Sequence, residues 1–160
     1  MRFLITALLA LLFVGCASTP KPALTSITIE EIKPRYIEEE QFKRVSEYMT
    51  GKEYTGDRVI LRSDHSERSG YYFTLILNED LRDLPKGTVV TGEFYTKKST
   101  DKQVHEFTLP NKRASTNEIF IGLTGEDWPE DGGVPAAWRF IIKDANGKTL
   151  GEKQSYLWSL

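Results

Sequence analysis

Gly70-Tyr71-Tyr72-Phe73-Thr74-Leu75-Ile76-Leu77-Asn78 sets Phe73, Leu75 and Leu77 on one side of an extended chain and Tyr72, Thr74 and Ile76 on the other. Successive strand side chains point to opposite faces, so this strand is apolar on both. A strand covered on both faces belongs in the middle of a sheet.

Similar texture extends outward from it. Ser26-Ile27-Thr28-Ile29-Glu30 alternates, and Pro34 is expected to end that strand. Further strands are predicted over 58–62, 88–97, 103–109, 117–123, 136–143 and 148–158. Val90, Gly92 and Phe94 share one face, as do Ile119, Ile121 and Leu123, and Trp138, Phe140 and Ile142. Leu84-Pro85-Lys86-Gly87 reads as a turn, and Asp144-Ala145-Asn146-Gly147 as a hairpin turn, because Asn-Gly tolerates positive φ. The stretch 37–49 differs. Glu38, Glu39 and Glu40 precede Phe42, Val45, Tyr48 and Met49, whose spacing fits one face of a short helix stopped by Gly51. About eight strands at regular spacing predict an all-β fold, an immunoglobulin-like β-sandwich over 26–160 with one short helix near 38–49. A small barrel is the alternative. The paired cysteines of antibody domains are absent, so the likeness is one of architecture.

The packing and the ends of the sandwich follow. Phe73, Leu75, Trp138 and Phe140 are expected to meet between the sheets, with Trp158 also in the core. If each strand from 58 onward reverses direction, loops 63–69, 98–102 and 124–134 share one end. Turns 79–86, 110–115 and 144–147 share the other.

The composition excludes some functions. The chain has 21 Lys and Arg against 23 Asp and Glu in 160 residues, a net charge of −2. No basic excess exists to hold a phosphate backbone, so nucleic acid is not an expected partner. Ser63, Asp64 and His65 are adjacent, but triads are assembled in space, and there is no Gly-x-Ser-x-Gly elbow. His105 reads as a surface or edge residue. No cysteine pair or His-x-x-x-His exists for zinc. The acids of 125–133 lack the ligand spacing of an EF-hand, so no metal or other cofactor is expected. A non-enzymatic domain is the expectation.

The chain begins with Arg2, an apolar run from Phe3 to Val14 broken only by Thr6, then Gly15 and Cys16. Twelve helical residues span about 18 Å, short of the roughly 30 Å hydrocarbon core, so the run reads as a secretory signal over 1–15. Phe13-Val14-Gly15-Cys16 resembles the lipobox of bacterial lipoproteins, with Phe13 where that family usually has Leu. The resemblance implies cleavage before Cys16, lipidation of Cys16 and attachment to a membrane without a transmembrane helix. Ala17 stands where Asp retains enteric lipoproteins in the inner membrane, which implies the outer membrane, facing the periplasm. Residues 16–25 carry prolines and small polar groups and read as the lipidated cysteine and its tether.

A membrane-anchored envelope lipoprotein that binds an envelope protein partner is therefore the expected function. A carbohydrate or peptidoglycan-binding module is the alternative. The binding end is expected at 63–69, 98–102 and 124–134, centred on Trp128 with His65, Arg68, Asp127 and Glu130, since long loops on a rigid scaffold concentrate binding residues. The competing reading makes Trp128 a lid folded onto the core.

Overall fold

A computed structural model describes residues 24–97, 100–128 and 134–159. The stretch read as a signal, Cys16, most of the stretch read as a tether, and Glu130 lie outside these residues. Eight strands form: β1 (Ile29–Ile37), β2 (Val59–Arg62), β3 (Gly70–Leu77), β4 (Val89–Tyr95), β5 (Gln103–Thr108), β6 (Glu118–Thr124), β7 (Ala137–Lys143) and β8 (Thr149–Gln154). They make two four-stranded sheets, ordered β1-β3-β6-β2 and β5-β4-β7-β8. The fold is the all-β sandwich that the alternation predicts. β1, β3 and β6 facing β4, β7 and β8 repeats the A, B, E against C, F, G arrangement of immunoglobulin-like sandwiches. All strand pairs are antiparallel except β2 with β6, which run parallel.

β3 is a central strand, paired on both sides, as its two apolar faces require. Its inner residues Tyr71, Phe73, Leu75 and Leu77 join Phe94, Ile119, Ile121, Leu123, Phe140 and Ile142 in one core between the sheets. Phe73 sits at the hub, with ring centroids 5.2 Å from Phe140, 5.3 Å from Phe94 and 5.9 Å from Trp138. The outer face of β3 carries a second cluster of Tyr72, Phe120, Ile37 and Phe42. Gly122 lies opposite Tyr72 because a Cβ there would fall 2.5 Å from the Tyr72 ring.

Three local expectations are corrected. β1 runs through Pro34, which pairs with Phe73, instead of ending there. Pro34 is tolerated because β1 is an edge strand, whose outward N–H groups have no ladder partner to lose. The helix of 37–49 is two helices, α1 (Glu39–Phe42) and α2 (Val45–Thr50), separated by extended Lys43 and Arg44. β8 ends at Gln154, and Tyr156–Ser159 forms a 3-10 turn. This turn places Trp158 outside the core, 5.3 Å from Tyr95.

The register sets the two ends. Ile37 pairs with Gly70, Gly70 with Thr124, and Tyr95 with Ala137, so the 63–69 loop, the end of β4 and the segment after β6 share the upper end. The lower end holds turns 79–86, 110–115 and 144–147. There the chain joins the fold: Ile27 N–H bonds Leu150 C=O at 2.8 Å, and Thr28 and Asn78 exchange hydrogen bonds. β1 then climbs to the upper end, where α1 and α2 begin the crossover to β2 across the outer face of the first sheet. No described helix is long and apolar enough to cross a membrane.

Candidate functional site

Hydrogen bonds fasten part of the upper end. Thr124 N–H donates to Ser63 Oγ at 3.0 Å, Asp64 N–H to Thr124 Oγ1 at 3.0 Å, and Thr124 Oγ1–H to Asp64 C=O at 2.8 Å. These bonds staple the 63–69 loop to the end of β6. Asp64 Oδ1 accepts from the N–H and hydroxyl of Ser66, which hold its carboxyl below the usual range. The hydroxyl of Ser63 and the carboxylate of Asp64 are thus engaged elsewhere than with His65, which is exposed.

Trp128 is an interior residue, not an exposed one. It is 7% exposed and belongs to the main core, with its ring 4.8 Å from Tyr71. The short 3-10 turn Gly125–Asp127 leads into it, and its packing on Tyr71 favours the lid reading over an exposed loop tryptophan. Asp127 lies on this turn with its carboxylate 3.9 Å from His105 Nε2. His105 points inward from β5, between Phe94 and Phe107, and Nε2 has no hydrogen-bond partner among the described residues. His105 is thus an edge-strand residue, one of the two places that the sequence allows it, but its ring turns toward the core and not to the surface.

Arg68 belongs to an ionic network beneath α2. It reaches Glu47 at 2.7 Å and Glu53 at 3.5 Å, and Glu53 also takes two hydrogen bonds from the buried guanidinium of Arg62. Tyr72 joins the arginines, accepting from Arg62 Nε at 3.1 Å and donating to Arg68 C=O at 2.7 Å. Arg62 holds the Glu53 carboxyl below its usual range. Burial would raise Glu47, but bonds from Arg68 and from the N–H groups of Tyr54 and Arg44 outweigh it and lower it. Burial raises the Tyr72 phenol.

This network turns α2 inside out. Glu47 is the only α2 side chain shielded from solvent, while the apolar stripe faces water, with Val45 80%, Tyr48 75% and Met49 85% exposed. The spacing of 45, 48 and 49 puts them on one helical face. The break at Lys43–Arg44 separates this stripe from Phe42, which turns instead onto Tyr72 at 4.8 Å. Beside α2 lies a cleft of about 330 Å³ lined by Glu39, Lys43, Glu47, Tyr48, Gly51, Glu53 and Arg68.

Tyr36, Tyr54, Tyr95, Val104, Val134, Tyr156 and Leu157 are also exposed, and with α2 they complete the exposed large apolar side chains among the described residues. The register and the crossover put all of them in the upper half of the sandwich. Of the residues that sequence reading assigned to the binding end, Arg68 lines the cleft and His65 lies on the neighbouring loop. Asp127 sits across the end, Trp128 is interior, and Glu130 falls outside the described residues. Val45, Tyr48 and Met49 were missed as surface, because their spacing reads equally as a face turned to the core. Among the described residues no group of three or more His, Cys, Asp or Glu is placed to hold a metal ion. Compared with known proteins, the chain matches no family model, no curated protein and no solved structure.

Proposed function

We propose that this chain is a non-enzymatic envelope lipoprotein, anchored through a lipidated Cys16, whose upper end docks an envelope protein partner. One observation carries the docking reading: α2 is held down by an acid and shows its apolar stripe to water. Exposing Val45, Tyr48 and Met49 together is unfavourable in a free domain, and such patches mark interaction sites. Tyr and Met are also enriched where proteins meet. The direction of the chain supports the same reading. A tether from Cys16 reaches the domain at its lower end, so an anchored molecule presents α2 away from its own membrane. The Ala17 resemblance puts that membrane at the outer membrane.

A photo-crosslinking residue in place of Tyr48 should join one partner protein in intact cells. One in place of Asn146, at the lower end, should not. Val45→Glu with Met49→Glu should abolish the Tyr48 crosslink and leave the melting temperature unchanged. Equal crosslinking from both ends, or a large loss of stability in the double variant, removes the docking surface. Mass spectrometry of the N-terminal peptide and fractionation of Cys16→Ala test the anchor separately.

A second reading has its own observation. Tyr48 stands beside carboxylates in the α2 cleft, the pairing of ring face and hydrogen-bond acceptors that a sugar needs. Sedimentation with isolated peptidoglycan, lost in Tyr48→Ala and kept in Met49→Glu, would favour this carbohydrate module over a protein partner.

A further inference from the structure

We propose that the lower end carries a phosphate-binding cleft that seats the headgroups of an anionic membrane. The source of the phosphate rests on the lipid-anchored reading; the binding rests on the cleft. A cleft of about 290 Å³ opens between the 79–86 and 110–115 loops, lined by Arg82, Leu84, Lys86, Asn111, Lys112 and Arg113. Its lining holds four cationic side chains and no carboxylate, in a chain whose net charge is −2.

The cations have different tasks. Arg82 is matched by Asp80 at 3.1 Å. Arg113 ties the two loops together: Nε donates to Pro110 C=O at 2.7 Å, Nη1 to Leu81 and Leu84 C=O at 2.7 and 3.0 Å, and Nη2 to Pro85 C=O at 3.0 Å. Carbonyl dipoles satisfy its donors but do not cancel its charge. Lys86 and Lys112 are exposed and have no ion-pair partner among the described residues. The cleft therefore offers the donors of two free ammonium groups beside the uncancelled charge of a fixed guanidinium, a cationic setting that suits phosphate oxygens.

Its location selects the source. Thr28 N–H donates to Asn78 Oδ1 at 2.8 Å and Asn78 N–H to Thr28 C=O at 3.1 Å, so the chain joins the fold beside the 79–86 loop. Seven residues lie between Cys16 and Leu24, and the eight steps reach about 25 Å when extended at 3.1 Å per residue. A domain on so short a tether keeps its lower end close to the headgroups, and basic residues close to an anionic surface are attracted to it.

The test uses the chain from Cys16 onward with Cys16→Ser, which carries no lipid and retains every described element. It should cosediment with vesicles of phosphatidylglycerol in phosphatidylcholine and not with phosphatidylcholine alone. Binding should weaken as salt rises. Lys86→Glu with Lys112→Glu should reduce it by about twenty-five-fold or more, from roughly fivefold per lysine. The melting temperature should not change, and Lys52→Glu at the upper end should bind like the parent. Absence of vesicle binding, or binding insensitive to the lysine pair, overturns the proposal. Inorganic phosphate that shifts the Lys86 and Lys112 resonances without vesicle binding overturns the lipid as its source. An unmodified Cys16 in cells would defeat the anchored reading and leave the vesicle result standing, so the two failures are distinct.

Discussion

The rings of Tyr71 and Trp128 lie 4.8 Å apart at an interplanar angle of 39°. Tyr71 is the second residue of β3 and Trp128 ends the turn after β6, so this contact closes the upper end of the core from both sides. The burial of Trp128 also moves the candidate docking surface from the 124–134 segment to α2.

Trp128→Ala should therefore cost stability. Truncating a buried Trp costs about 3–5 kcal/mol. At this end position about 3 kcal/mol is expected, a fall in melting temperature on the order of 10 °C. Crosslinking through Tyr48 should persist at temperatures where the variant remains folded. Loss of the crosslink with unchanged melting would put Trp128 back on the contact surface.

Phe140→Ala strikes the hub. Phe140 lies 5.2 Å from Phe73, 5.5 Å from Phe94 and 5.8 Å from Trp138 and is fully buried. A loss of about 3–5 kcal/mol is expected in urea unfolding, a large share of a typical domain's stability. A midpoint close to the parent's would mean that the sheets meet through other side chains.

Tyr72→Phe removes one oxygen and keeps the ring that packs on Phe42. Arg62 Nε then loses its acceptor in a buried setting, and Arg68 C=O loses a donor. About 1–3 kcal/mol should be lost, as for a buried polar group left unpaired. A double-mutant cycle with Glu53→Gln should show coupling, because Tyr72 and Glu53 both bind Arg62. Strict additivity would argue that the network does not act as a unit.

Acid should weaken the fold. Glu53, Glu47, Asp64 and Asp80 all have folded carboxyls below their ordinary values, Asp80 chiefly through Arg82. On acidification the unfolded chain takes up these protons first, near about pH 4. Their stabilisation is therefore complete above that range and is lost as pH falls through the lowered folded values. Melting temperature should hold between neutral pH and about pH 5 and then drop steeply, with a shallower drop in Glu53→Gln. A flat profile down to about pH 3 would contradict the carboxylate network.

The sandwich was legible in the sequence because alternation and turn chemistry are local. Phe73, Leu75 and Leu77 against Tyr72 and Thr74 name a central strand without reference to any partner. Asn146-Gly147 closes a hairpin by its own backbone preference, and Gly147 takes φ 81°. Reversal at each turn then places the loops at their two ends. Other features depended on which element lies beside which. Pro34 can stay in a strand only because β1 has a free edge, a fact of sheet order. The stripe of Val45, Tyr48 and Met49 is visible as a stripe, but periodicity does not say whether a face looks inward. Arg68, held near Glu47 only once the 63–69 loop packs beneath α2, turns that face to water. Trp128 is core because Tyr71 waits at the start of a distant strand. The Lys86 and Lys112 cleft exists because Arg113 binds two separated loops. Local pattern determined the strands and turns, whereas the contacts that give α2, Trp128 and the lower cleft their roles span the chain and arise only when the two sheets close.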